Sequence, residues 1–195
     1  MKNPIMLDLV GKDSKQMPDT ISNEIVLCKD FPAKQSFIKR FLMANRNLKV
    51  LIFAETKVEV KRYERFHYAQ FGCLHGDLEQ RARLRILSDF RSPRSNMVLV
   101  ATDVAARGLD IDDIDVVIQQ SVRNVDAFVH RTGRTGRAGK SGRNIVLHTV
   151  ENETQDLKFY KKLEESLKCN FKYTSTILNS PSDTGFEVDE SKAEA

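Results

Sequence analysis

Cysteine is scarce in this chain of 195 residues. Cys28, Cys73 and Cys169 are three in number, widely separated and without a Cys-x-x-Cys pair. That excludes a disulfide framework and a zinc ribbon, and predicts reduced thiols in a cytosolic or nuclear protein. Long apolar runs are absent too: nothing approaches the roughly 18 residues of a membrane span, and Ile5 to Val10, broken by Asp8, is too short for a signal h-region. A soluble intracellular chain with no membrane partner is expected. Disorder throughout is equally excluded, because 41% of the residues are hydrophobic and a chain of this length buries about 70% of its unfolded surface. One self-sufficient core follows.

Charge is present in both signs but unevenly placed. Lys and Arg number 31 against 27 Asp and Glu, a net of +4. Asp183, Glu187, Asp189, Glu190 and Glu194 against Lys192 give residues 179–195 a net of −4, which leaves +8 on residues 1–178. The basic body is compatible with a polyanion partner. Beyond Ser180 the composition cannot repay the entropy of ordering, so residues 176–195 are expected to form an acidic tail or linker. Residues 1–23 read as a linker or N-terminal extension, leaving 24–175 as the folded domain.

Strand signals recur at Glu24 to Cys28, Val50 to Phe53, Phe71 to Leu74, Met97 to Ala101, Val116 to Ile118 and Ile145 to Leu147, separated by segments long enough for helices. Asp30 with Pro32 marks a helix start before Phe37, Ile38, Phe41 and Leu42. A last helix is predicted over 152–168, with Asn152 and Gln155 at capping-box spacing and Leu157, Tyr160, Leu163 and Leu167 on one stripe. The alternation predicts an α/β fold with a doubly wound, mostly parallel sheet and helices on both faces. Ligands bind such sheets beyond the C-terminal ends of the strands.

The densest chemical signal is His130-Arg131-Thr132-Gly133-Arg134-Thr135-Gly136-Arg137-Ala138-Gly139, followed by Lys140, Ser141, Gly142 and Arg143. Arg131, Arg134, Arg137, Lys140 and Arg143 are cations with no acid among them, and guanidinium forks match phosphate oxygens. Glycine every third residue suggests collagen, but four triplets without proline cannot sustain a triple helix. The glycines are instead expected to let the backbone approach a ligand. A solvated basic turn is the plain alternative. Gly139-Lys140-Ser141 imitates the end of a P-loop, but the position five before Gly139 holds Arg134, so the motif is broken. Asp112, Asp113 and Asp115 precede a strand rather than follow one, so a solvated loop is expected there and no metal set is predicted in this chain.

Two further segments sit beside strand ends. In Ala101 to Ile111, Thr102 could donate to a backbone phosphate and Asp110 could accept from a ribose hydroxyl, although each residue type is more often a cap or turn. In His75 to Arg83, a helix start with nearby arginines offers a phosphate site.

Taken together these segments resemble the C-terminal RecA-like domain of DEAD-box RNA helicases. Leu51 to Lys57 looks like motif IV, His75-Gly76 with Gln80 to Arg83 like the Q-x-x-R element, Ala101 to Ile111 like motif V and His130 to Arg137 like motif VI, in family order over about residues 24–175. The resemblance implies a RecA-like three-layer sandwich. It implies that Arg134 and Arg137 are catalytic arginine fingers, worth about 10³ to 10⁵ in rate. Gly108 and Asp110 would meet the nucleotide ribose, and His130 and Arg131 would couple to the acidic motif across the cleft. Thr102 would touch RNA phosphate, with Thr56 and Arg83 as further RNA-side residues. ATP with Mg²⁺ is expected to be held mainly by an N-terminal RecA-like domain, and RNA to be gripped by sugar and phosphate with little sequence specificity.

No Q motif, GxxxxGK[ST] or Asp-Glu-Ala-Asp occurs in the 195 residues. The chain is therefore expected to be a piece of the enzyme, inactive alone. A stand-alone RNA-binding or interaction module and a domain from a DNA-acting relative are the rival readings. Leu7 to Lys12, Cys73 to Asp77 and Asn170-Phe171-Lys172 look most similar to the nucleolar Gu-type helicases, which implies a nuclear, nucleolar location, with the cytoplasm as the alternative.

Overall fold

Val50–Phe53 (β2) and Met97–Ala101 (β4) are buried at every residue, which a strand tolerates only where both faces of its sheet are covered. They are interior strands, second and third from one edge, of a seven-stranded sheet in the computed structural model, which describes residues 17–92, 95–106, 111, 114–122, 124–150, 153–174 and 176–179. The remaining strands are Ile21–Cys28 (β1), Gln70–Leu74 (β3), Val116–Gln119 (β5), Gly142–Thr149 (β6) and Phe171–Tyr173 (β7). Their order is β3-β4-β2-β5-β6-β1-β7, and every pairing is parallel. The sheet is thus parallel throughout, where a mostly parallel one was expected.

Helices α1 (Phe31–Ala44) and α2 (Lys57–Tyr63) cover one face, burying Ile38, Phe41, Val60 and Tyr63 against Val26, Ile52, Val100 and Ile118. On the opposite face α3 (Gln80–Arg91) and the short α4 (Asp103–Ala106) pack Leu87, Phe90, Ala105 and Ala106 on Leu51, Leu99 and Val117. That face continues with α5 (Val125–Thr132) and α6 (Glu153–Leu167), whose Phe128, Tyr160, Leu163 and Leu167 meet Ile25 and Val146. Local chemistry starts these helices where the turns require it. Asp30 accepts from the Ala33 N–H at 2.9 Å, and Asn124 from the Ala127 N–H at 2.8 Å. Each side chain satisfies a backbone donor that the first helical turn leaves without a partner.

The domain is longer at both ends than its sequence suggested. Strand β1 starts at Ile21 rather than Glu24, and Met17 is buried with its N–H donating to Leu167 O at 3.2 Å. Residues 17–23 therefore belong to the fold, not to a linker. At the other end β7 pairs with β1, and Leu178 is buried, bridging to Cys28. Leu178 therefore belongs to the core, so the fold reaches into what was expected to be a tail. A three-residue strand is too short to display alternation, which is why it went unread. Asn152, the cap of the predicted capping box, and the segment from Ser180 onwards lie outside the described residues.

Cys28 and Cys73 sit in the core beneath α1 and α2. Burial pushes both thiols up to about 12 from an ordinary 9.0. An unfolded chain releases these protons near pH 9 while the folded one keeps them, so the native state binds more protons and stability falls as pH rises above 9. Lys34, lowered chiefly by burial, opposes this with a single proton. The urea midpoint is expected to drop between about pH 8.5 and pH 10.5, and the drop to shrink in a Cys28→Ala/Cys73→Ala chain. An equal drop in both proteins would reject this account.

Candidate functional site

Arg131 is 2% exposed, and burying a guanidinium is tolerated only with near-complete pairing. Its Nε and Nη2 each donate to one oxygen of the Asp103 carboxylate at 2.7 Å, and its Nη1 donates to Ser121 O at 2.6 Å. The guanidinium carbon also lies 5.4 Å from the centre of the Phe53 ring. One side chain of α5 therefore ties together α4 and the ends of β2 and β5. The next tie runs from Ser121 Oγ, which donates to Glu55 Oε1 at 2.5 Å. Beneath it, Lys34 Nζ donates to Gln120 O at 2.6 Å, and Gln120 Nε2 donates to the Tyr63 hydroxyl.

A second polar set fastens α5 to the sheet from below. Gln119 Nε2 donates to Asn144 Oδ1 at 2.9 Å and to Thr132 Oγ1 at 3.1 Å, while Asn144 Nδ2 donates to Asn23 Oδ1 at 2.9 Å. All four residues are buried. After α5 the chain descends to the opposite edge of the sheet: Thr135 bridges to Ile114 just before β5, and its hydroxyl donates to Ile114 O at 2.6 Å. Gly136 has φ +68, and a Cβ there would stand 2.4 Å from Ile21 Cγ1. A Cβ on Gly142 would be 2.6 Å from the Gly136 nitrogen. Gly136 and Gly142 bring the chain against itself, whereas a Cβ on Gly139, at φ +77, would meet nothing within 4 Å.

Two concavities flank the loop. One, of about 540 Å³, lies between α4 and α5 and is lined by Phe53, Asp103, Ala106, Asn124, His130 and Arg134 among others. The other, of about 330 Å³, is lined by Ile114, Asp115, Arg134, Thr135, Gly136, Arg137, Lys140 and Ser141. Arg134 borders both. The cationic donor set of the second suits the phosphate oxygens of a nucleotide.

Residues 33–139 match the Helicase conserved C-terminal domain family. The chain belongs to this family, in its DEAD-box form. It is 38% identical over 175 residues to DEAD-box ATP-dependent RNA helicase 53 of Oryza sativa, a match covering 88% of this chain and 28% of the relative. Among solved structures, E. coli DEAD-box protein SrmB bound to RraA superposes with a TM-score of 0.66 and 28% identity, covering 80% of this chain and 91% of that one. A variant of S. cerevisiae Dbp5 bound to RNA and ADP BeF3 gives a TM-score of 0.67 at 25% identity, covering 80% of this chain and 42% of that one.

In this helicase domain the expected site residues fall into separate groups. His130, Arg134 and Arg137 surround the concavities; His130 and Arg137 are exposed, and Arg137 Nε donates to Gly133 O at 2.8 Å. The Arg131 fork is engaged within the domain, where it braces the site. Thr56 and Thr102 stand past the ends of β2 and β4. Each hydroxyl accepts from a helix-start N–H, that of Glu59 at 3.2 Å and that of Ala105 at 3.3 Å. Both threonines thus cap helices and retain an O–H to donate. Arg83 is half-buried on α3, with its Nε enclosed and lacking a hydrogen-bond acceptor among the described residues. Asp77, at the start of the same segment, is held below the usual carboxylate range by Lys61 and Lys57, at 3.0 and 3.2 Å. Gly108 and Asp110 lie outside the described residues.

Sequence reasoning missed Lys34, Glu55 and Ser121 as parts of this site. Lys34 had a signal: it stands four residues before Ile38 on the buried stripe of α1, where an apolar residue is the norm. Removing the Arg131 fork leaves the Ser121 carbonyl and the Asp103 carboxylate without their donors. Because Asp103 is partly solvated, Arg131→Ala is expected to cost about 2 to 3 kcal/mol, and Arg131→Lys, which cannot fork, roughly half of that. Urea unfolding at neutral pH checks both, and a loss below about 0.5 kcal/mol for either would contradict the bracing role.

Proposed function

We propose that this chain is the half of an ATP-dependent RNA helicase that completes the nucleotide site and grips RNA by its backbone. The observation that carries the reading is the shared placement of Arg134 and Arg137 on one concavity of about 330 Å³. The chain spans only 28% of its rice relative, so the activity belongs to the whole protein. ATP with Mg²⁺, held mainly by an N-terminal RecA-like domain, supplies the phosphoryl group whose hydrolysis drives closure. Arg134 and Arg137 present fixed positive charge to the phosphates, and His130 faces the partner domain. Gly108 and Asp110 meet the ribose.

On the other edge, Thr102 and Thr56 offer hydroxyl donors to RNA phosphates and Arg83 adds a cation. Such contacts read no base edge, so binding is expected to fall steeply with salt and to vary little with sequence. Closure of two domains on ATP and RNA bends one strand and separates a short duplex. The narrower likeness to Gu-type helicases, with a nucleolar location, belongs to the same reading and rests on the three short stretches quoted above.

Alone, the domain is expected to show negligible ATP hydrolysis. Mixing it with a separately made N-terminal domain of the same protein should restore RNA-stimulated hydrolysis, and Arg137→Ala should lower that rate by about 10³-fold or more. Restored turnover indifferent to Arg137 would reject the arginine-finger role. Two folded halves that restore nothing would favour a stand-alone RNA-binding module.

A further inference from the structure

The outer side of α1 takes no part in the site. This helix holds Lys34, Lys39 and Arg40 and no carboxylate. Lys39 and Met43 stand one turn apart on it, and Arg46 follows its C-terminal cap Asn45. All three are exposed, Met43 at 50%. Among the described residues neither Lys39 nor Arg46 forms an ion pair, and Met43 is the one large apolar side chain that α1 leaves exposed. A cation, an apolar group and a second cation thus follow one another along the surface. The chain that leaves the fold beside α1 has the complementary order. The Leu178 N–H donates to Leu27 O at 2.8 Å, Leu178 O accepts from the Lys29 N–H at 2.9 Å, and the Leu178 side chain is buried in one cluster with Ala33, Ile38 and Phe41 of α1. The chain therefore departs on the α1 side of the sheet, close to the start of that helix. Residues 183–190 read Asp-Thr-Gly-Phe-Glu-Val-Asp-Glu, with four acids and no cation, and the acids flank Phe186 on both sides. Met43 lies about 18 Å along α1 from Phe31, and the seven steps from Asn179 to Phe186 span up to about 23 Å. The reach matches.

We infer that residues 183–190 dock in cis on the outer side of α1, with Phe186 against Met43 and the flanking acids paired with Lys39 and Arg46. The acidic segment thereby covers part of the chain's own basic surface. A polyanion drawn to that surface has to displace it first. The pairs are solvent-exposed, so the contact weakens as salt rises. Nothing in this docking depends on the nucleotide and RNA roles proposed for the other residues.

Methionine-methyl NMR on the 195-residue chain tests this, with Met43→Leu to assign the resonance. The Met43 methyl is expected to be displaced by the Phe186 ring. That displacement should vanish in Phe186→Ala and shrink in Glu187→Gln/Asp189→Asn/Glu190→Gln, while the resonances of the buried Met17 and Met97 stay in place. Raising salt from about 0.05 to about 0.5 M should move the wild-type resonance towards that of the acid-neutralised variant, and Lys39→Gln/Arg46→Gln, on exposed side chains, should remove this salt dependence. A Met43 resonance that ignores both segment variants overturns the docking. A displacement that fades on dilution from about 500 to about 20 µM overturns the assignment in cis and points to a second copy of the chain. Polyuridylate should perturb Met43 at several-fold lower concentration in the acid-neutralised variant than in wild type. An equal effect on both, or none on either, overturns the covering role.

Discussion

The guanidinium of Arg131 is the joint on which the arrangement of the site depends. It is buried, so it must be paired, and the only way to pair it is to bring Asp103, Ser121 and Phe53 to fixed positions around one plane. Those three residues come from segments far apart in sequence but adjacent in the sheet. A bidentate fork tolerates little rotation. Once it is closed, the first turn of α4, the exit from β5 and the axis of α5 are set relative to one another. Thr102, which caps α4, and His130, the neighbour of Arg131, inherit their positions from this constraint.

The domain presents chemistry at both edges of its sheet, and α5 connects them. Thr56 and Thr102 lie past the C-terminal ends of β2 and β4, where the ligands of open parallel sheets normally bind. Thr135, Gly136 and Gly142 lie at the opposite end of the strands, beside Ile114, Thr20 and Ile21, while Arg134 shares a concavity with Phe53 and Asp103. α5 starts near the first edge, after Ser121, and hands the chain to the second at Gly133. Thr102 is linked to Arg134 through α4, the Asp103–Arg131 pair and the turn that closes α5. Tight packing and charge-assisted bonds make that path stiff.

Much of the architecture was legible because the strands are apolar runs bounded by helix starts. Met97–Ala101 reads as a covered strand from composition alone, and Asp30 with Pro32 marks α1 where it begins. The domain ends were not legible: Met17 and Leu178 are buried by pairing and packing with elements more than a hundred residues away in sequence, which no local pattern reports. The site was legible as a set of motifs but not as a geometry. The glycine triplets carry no sign of which neighbour each glycine admits, and that neighbour is Ile21 for Gly136 and the Gly136 backbone for Gly142. Nor does a motif distinguish an outward arginine from an inward one: Arg131, Arg134 and Arg137 are spaced alike, yet only Arg131 is buried. The difference follows from helix phase, since Arg131 lies on α5 three residues after Phe128 and shares its inward side, whereas Arg134 and Arg137 come after the helix has ended.

The buried amides explain why that phase is fixed. A sheet of interchangeable valines and isoleucines allows strands to slide, because neighbouring residues bury equally well after a shift. Asn23, Asn144 and Gln119 remove that freedom, since their amide bonds form in one register only, with Asn23 opposite Asn144 and Gln119 one strand further on. A shift of β6 by one residue would turn Asn144 to the other face and leave buried donors and acceptors without partners, at about 1 to 3 kcal/mol each. Thr132 joins α5 to the same set, so the helix that carries Arg131 is indexed to the strands by hydrogen bonds rather than by hydrophobic contact alone. Apolar burial supplies most of the driving force for this fold, and the polar ladder selects, among the packings that burial would permit, the one in which Arg131 meets Asp103 and Arg134 stands between the two concavities.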